Sequence, residues 1–160
     1  MRQFSIHGME IGRKKLPHEM PPEVVPNPEH EVVFITICCE ARGLNQLALP
    51  EVWQAIRETV EVRQTAGDWK VSLMLAMPDH LHALIAFPGR KPMEKVIGTM
   101  KAWLAKTRRI EWQSGYFDHR LRSWESAEEK RRYILNNPVR AGLVVDGETW
   151  PYQMDRFEQR

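Results

Sequence analysis

The chain has little cysteine, and what it has is badly placed for a scaffold. Its two cysteines, Cys38 and Cys39, are adjacent. They build no disulfide framework, and no Cys-x-x-Cys spacing offers a zinc site. Adjacent residues of a strand point to opposite faces, which predicts two small buried apolar side chains, one on each side of a sheet. Long apolar runs are missing too. No stretch approaches the roughly 18 residues of a membrane span. The first residues, Met1-Arg2-Gln3-Phe4-Ser5-Ile6-His7-Gly8, lack the apolar core of a signal peptide. A cytoplasmic protein with no membrane contact is expected, and no internal repeat or low-complexity tract suggests a repeat architecture.

What is present suits a single domain with a sizeable core, since 42% of the 160 residues are hydrophobic and 28% charged. The net charge of +2 conceals an uneven distribution. Residues 90–140 hold 13 Lys and Arg against 6 Asp and Glu, while residues 1–89 and 141–160 are net acidic. Such a block marks either a face where a polyanion docks or a solvated helix face, and charge alone does not choose.

The first thirty residues read as a Pro-rich basic arm. Pro17, Pro21, Pro22, Pro26 and Pro28 block helix and ladder alike, and Arg13-Lys14-Lys15 forms a basic cluster within the arm. Residues 31–160 form the single domain. Val32 to Cys39 is β-branched and apolar, a central strand. Pro50 opens a helix to about Thr65, with Val52, Ile56 and Val60 on one side. Lys70–Met77 and His80–Phe87 form a hairpin around Pro78-Asp79. Met93, Val96, Ile97, Met100, Trp103, Leu104 and Thr107 give a second amphipathic helix to about Ile110. Gly115–Arg122 reads as a fourth strand. Ser126, with Glu129 three residues on, predicts a capping box at the start of a third helix, which Pro138 limits. The fold class is therefore α+β: a ferredoxin-like β-α-β-β-α-β antiparallel sheet, with an additional C-terminal helix able to cover its second face.

His80 and His82 stand at i and i+2 of a strand, so both imidazoles project to one face. Two neutral imidazoles chelate a divalent cation once a third ligand arrives; in isolation they are equally two polar residues of a half-exposed strand. Of three tyrosines, Tyr116 and Tyr152 read as packing residues. Tyr133 differs. It lies in the third helix beside Arg131 and Arg132, with Asn137 one turn on, so a phenol and a carboxamide share a face.

Met77-Pro78-Asp79-His80-Leu81-His82, followed about fifty residues later by Tyr133-Ile134-Leu135-Asn136-Asn137-Pro138-Val139-Arg140-Ala141-Gly142-Leu143-Val144, resembles the REP-associated tyrosine transposases. These are relatives of the single-tyrosine insertion-sequence transposases within the HUH nucleases. Arg13-Lys14-Lys15-Leu16-Pro17-His18 is similar to the basic N-terminal segment of that group, and the resemblance runs from about residue 13 to 152. It implies that His80, His82 and Asn137 ligate a divalent metal, Mg²⁺ or Mn²⁺, with His119 as an alternative third ligand. It implies that Tyr133, in the additional helix, is the nucleophile. The substrate implied is single-stranded or hairpin DNA of REP type, cut to a 5′-phosphotyrosine and a 3′-OH by a monomer or homodimer that is nucleoid-associated when bound. Arg13, Lys14, Lys15, Lys95, Lys101, Arg120, Arg122, Arg132 and Arg140 are the expected phosphate contacts. A phenol with an ordinary pKa of about 10 needs favourable charge to ionise, from Arg131, Arg132 or the metal. The competing class is a non-catalytic ferredoxin-like nucleic-acid-binding module, which presents paired aromatics on its central strands. Here Phe34 is the one aromatic of the first strand.

Overall fold

Alternating apolar residues on the long strands, together with two amphipathic helices, fix a layered arrangement. The computed structural model describes residues 10–11 and 31–157. Among the described residues, six strands form one sheet: β1 (Glu10–Ile11), β2 (Val32–Cys38), β3 (Lys70–Met77), β4 (His80–Ala86), β5 (Phe117–Leu121) and β6 (Gln153–Asp155). Their spatial order is β1-β5-β2-β4-β3-β6, and every pairing is antiparallel. The helices are α1 (Pro50–Thr65), α2 (Met93–Arg108), α3 (Trp124–Leu135) and the short α4 (Asn137–Arg140). From β2 to β5 the succession is β-α-β-β-α-β, followed by α3.

The period of two sorts the sheet into two buried faces. Val33, Ile35 and Ile37 of β2 and Leu81, Ala83 and Ile85 of β4 share one core with Val52, Ile56 and Val60 of α1 and Val96, Met100 and Leu104 of α2. Phe34, Leu73, Leu75 and Leu84 face the other way, where they pack with Ala127 and Ile134 of α3 and with Trp150. All seven residues of β4 are therefore buried. Cys38 and Cys39 are both buried, and Cys39 joins the core under α1 and α2.

Several boundaries differ from the sequence expectation, each for a local reason. The third helix begins two residues before Ser126. Ser123 is the cap, its hydroxyl accepting the Ser126 backbone N–H, so the Ser126–Glu129 capping box does not form. The fourth strand starts at Phe117 rather than Gly115, because Gly115 takes a left-handed φ of 74° and its carbonyl accepts a hydrogen bond from Lys101. Helix α2 stops at Arg108, since Arg109 turns left-handed at φ 57°. Two edge strands went unanticipated. Glu10–Ile11, inside the expected arm, pairs with β5, and Gln153–Asp155 pairs with β3. Arg13, Lys14 and Lys15 lie outside the described residues. No helix among the described residues is long and apolar enough to cross a membrane.

Ile134 anchors α3 to the sheet and is fully buried. Ile134→Ala is expected to lower unfolding free energy by about 2–5 kcal/mol, read from urea melts. Val62→Ala, on the exposed side of α1, is expected to change it by less than about 0.5 kcal/mol.

Candidate active site

On a strand buried from both sides, an imidazole has to find hydrogen-bond partners inside the protein. Both histidines of β4 have them. His82 is fully buried and stands opposite Thr36 in the β2–β4 register; its Nδ1 lies 2.9 Å from Thr36 Oγ1. His80 Nδ1 lies 2.7 Å from Asp79 Oδ1. The second oxygen of Asp79 accepts the Gly43 N–H at 2.8 Å and faces Arg42 Nε at 3.4 Å. The two rings sit edge to face, centroids 4.7 Å apart.

The electrostatics fix protonation. Burial alone would raise the Asp79 carboxyl, but its bonds to His80 and Gly43 and the charge of Arg42 outweigh it and bring the pKa to about 2. An ionised carboxylate only accepts, so His80 Nδ1 carries the proton toward it. Burial lowers His80 more than Asp79 raises it. Burial also drives His82 well below the ordinary histidine value, helped by the charges of Arg140, Arg42 and Lys130. Both rings are thus neutral at pH 7, the state that ligates metals. The carboxylate on Nδ1 of His80 orients that ring as carboxylate partners do at metal sites, with Nε2 the unprotonated nitrogen. For His82 the metal-binding tautomer is the one in which Nδ1–H donates to Thr36.

Helix α3 brings Tyr133 to the same place. Its ring centroid is 6.5 Å from that of His82 and 6.4 Å from that of Phe34. Two cations flank the phenol. Lys130 Nζ is 5.4 Å from its centroid, and Arg140 Cζ is 4.2 Å away. The structure thus joins His80, His82 and Tyr133, three of the four residues expected to carry the chemistry. Asn137 follows as the first residue of α4, 5% exposed, and its side-chain Nδ2 is buried without a hydrogen-bond partner. Among the described residues no group of three or more His, Cys, Asp or Glu is placed to hold a metal. Two neutral imidazoles therefore fit a divalent ion only with a third ligand of another type, and the carbonyl oxygen of a carboxamide side chain is chemically suited.

The other expected residues scatter. Lys95 is exposed on α2, across the sheet from Tyr133. Lys101 donates to the carbonyls of Gln113 and Gly115 at 2.8 and 2.7 Å. Arg120 pairs with Glu31 at 2.8 Å. Arg122 and Arg132 are exposed, and His119 is exposed on β5 opposite Phe34. Arg131 is not beside the phenol; its Nε lies 3.1 Å from both carboxylate oxygens of Asp155. Tyr116 is core, and Tyr152 packs on Trp150 at 5.3 Å. Sequence reasoning missed Thr36, Asp79, Lys130 and Arg42 as site residues. Strand alternation placed Thr36, adjacency placed Asp79 and the i−3 spacing placed Lys130; nothing in the sequence marked the loop residue Arg42.

No protein-family model and no curated protein match the chain. Among solved structures, the chain is similar to a REP-associated tyrosine transposase bound to a REP hairpin, with a TM-score of 0.67 over 85% of this chain and 81% of the other, at 18% identity. The two share a fold. A presumed transposase from Deinococcus radiodurans R1 is more distantly similar, with a TM-score of 0.45 at 14% identity over 74% of this chain and 97% of that one.

A histidine whose folded pKa lies below its unfolded value binds a proton more readily when unfolded. Its contribution to stability is then full above about pH 6.5 and is lost as pH falls through the range below. The unfolding free energy is expected to drop between pH 7.5 and pH 5.5. His82→Gln is expected to flatten that slope; an equal slope in the variant would contradict the assignment.

Proposed function

We propose that the chain is a metal-assisted, transposase-like endonuclease and strand transferase acting on single-stranded or hairpin DNA. The observation that carries this is the convergence of Tyr133, from α3, on the neutral His80–His82 pair of β4, with ring centroids 6.5 Å apart at His82. The similar solved structure is that of a transposase bound to a REP hairpin, which supports hairpin DNA as substrate class.

His80, His82 and Asn137 would hold the divalent ion, Mg²⁺ or Mn²⁺, which when bound polarises the scissile phosphate and steadies charge on its oxygens. The Tyr133 hydroxyl oxygen attacks phosphorus as its proton leaves to solvent. The P–O3′ bond breaks, the departing 3′ oxygen takes up a proton, and the 5′ side stays on Tyr133 as a phosphotyrosine. The linkage keeps the phosphodiester energy, so a 3′-OH attacking the phosphotyrosine rejoins strands without ATP. Lys130, beside the phenol, places positive charge where the phosphate enters. Arg132 and Arg122, both exposed, are further phosphate contacts, and such contacts supply most of the affinity.

Incubation with Mn²⁺ and end-labelled DNA hairpins bearing a single-stranded extension is expected to give a covalent protein–DNA adduct on denaturing gels. Tyr133→Phe is expected to remove the adduct. His80→Ala or EDTA is expected to suppress cleavage while most hairpin affinity persists. An adduct that survives Tyr133→Phe assigns the wrong nucleophile, and binding without an adduct across REP-like hairpins favours a non-catalytic module.

A further inference from the structure

Arg140 touches Tyr133 twice. Its Nη2 donates to the Tyr133 carbonyl at 3.0 Å, satisfying one of the acceptors that the last turn of a helix leaves open. Its guanidinium carbon lies 4.2 Å from the centroid of the same residue's ring, within cation–π range. The approach is possible because the chain stays helical past the end of α3. Asn136 has φ −85° and ψ −5°, Pro138 occupies the first turn of α4, where a missing N–H does no harm, and Arg140 then lies seven residues beyond Tyr133. Lys130 reaches both the Phe34 ring, at 5.2 Å, and the Tyr133 ring, at 5.4 Å. Phe34 and His82 set their rings steeply to the phenol, at 80° and 67°.

We propose that Arg140 is a positioning residue for Tyr133, holding the phenol by backbone bond and cation–π contact in the orientation that aims its oxygen at the phosphate, with Lys130 as a second cation at the ring. This rests on Tyr133 as nucleophile. It differs from a plain phosphate contact, because the guanidinium acts on the phenol before DNA arrives. A planar fork makes both contacts at once, whereas a lysine's compact ammonium makes one or the other.

The test compares wild type, Arg140→Gln and Arg140→Lys by two measurements on the full chain. The first is the rate of adduct formation at saturating hairpin, beside hairpin affinity. Because a misplacement of about 1 Å costs about 100-fold, both variants are expected to lose roughly that factor in saturating rate with affinity within about threefold. Millimolar guanidinium added to Arg140→Ala is expected to restore part of the rate. The second is the aromatic NMR resonance of Tyr133, identified by its loss in Tyr133→Phe, in protein without DNA. It is expected to shift in Arg140→Gln while those of Tyr116 and Tyr152 stay. Weakened affinity with an unchanged saturating rate would make Arg140 a phosphate contact and overturn the proposal. An unmoved Tyr133 resonance would overturn it as well, even if wild type forms no adduct, which is the separate failure of the nucleophile assignment.

Discussion

A central strand with no exposed residue governs the rest of the site. β4 is covered by α1 and α2 on one side and by α3 on the other, so His80 and His82 cannot turn to water. Leaving either ring without partners would cost about 1–3 kcal/mol per group. The neighbouring sequence answers that demand. The register sets Thr36 directly opposite His82, and the hairpin turn sets a carboxylate beside His80. The loop after β2 returns to hold that carboxylate with Gly43 and Arg42. Neutral, oriented imidazoles are then a consequence of burial rather than a separate feature.

The same burial determines how Tyr133 arrives at the histidine pair. A helix covering the second face must bury an apolar stripe, and Ala127 and Ile134 supply it. Residues beside that stripe are carried to the edge of the cluster. Tyr133 is half-buried there, next to His82 and Phe34, while Lys130 sits one turn earlier on the same flank. Arg131, one residue over, is rotated away to Asp155 and the ring of Phe157. One step of 100° around the helix separates a cation at the phenol from one that ties α3 to β6.

Periodicity made the architecture legible. The strands β2, β3 and β4, helix α1 and the burial of both cysteines all follow from spacing. So does the shared face of the two histidines. Features set by competition between local options were not legible. Ser123 and Ser126 are both good caps, and the helix takes the earlier one. The strands β1 and β6 are too short to carry a period. The cations were the hardest to place, because a long side chain chooses its partner in three dimensions. Lys101, expected at phosphates, satisfies two carbonyls, and Arg120 finds Glu31, 89 residues away in sequence. The functional reading of the histidine pair needed Tyr133, and Tyr133 needed the sheet to bring together segments fifty residues apart.

The polar cluster itself argues for function. A face buried between sheet and helix is most stable when filled with apolar side chains of matching volume, as Leu73, Leu75 and Leu84 fill the rest of this one. Two imidazoles, a hydroxyl and a carboxylate occupy one end of it instead. A phenylalanine at position 133 would bury the same ring as tyrosine there. Sequences that specify one fold break their own packing rules mainly where something other than stability is served. At 18% identity, similarity to a DNA-bound transposase gives this chain a fold and no more. What the fold does not require, and the sequence nevertheless supplies, is a costly polar cluster aligned with a hydroxyl-bearing ring and flanked by two cations.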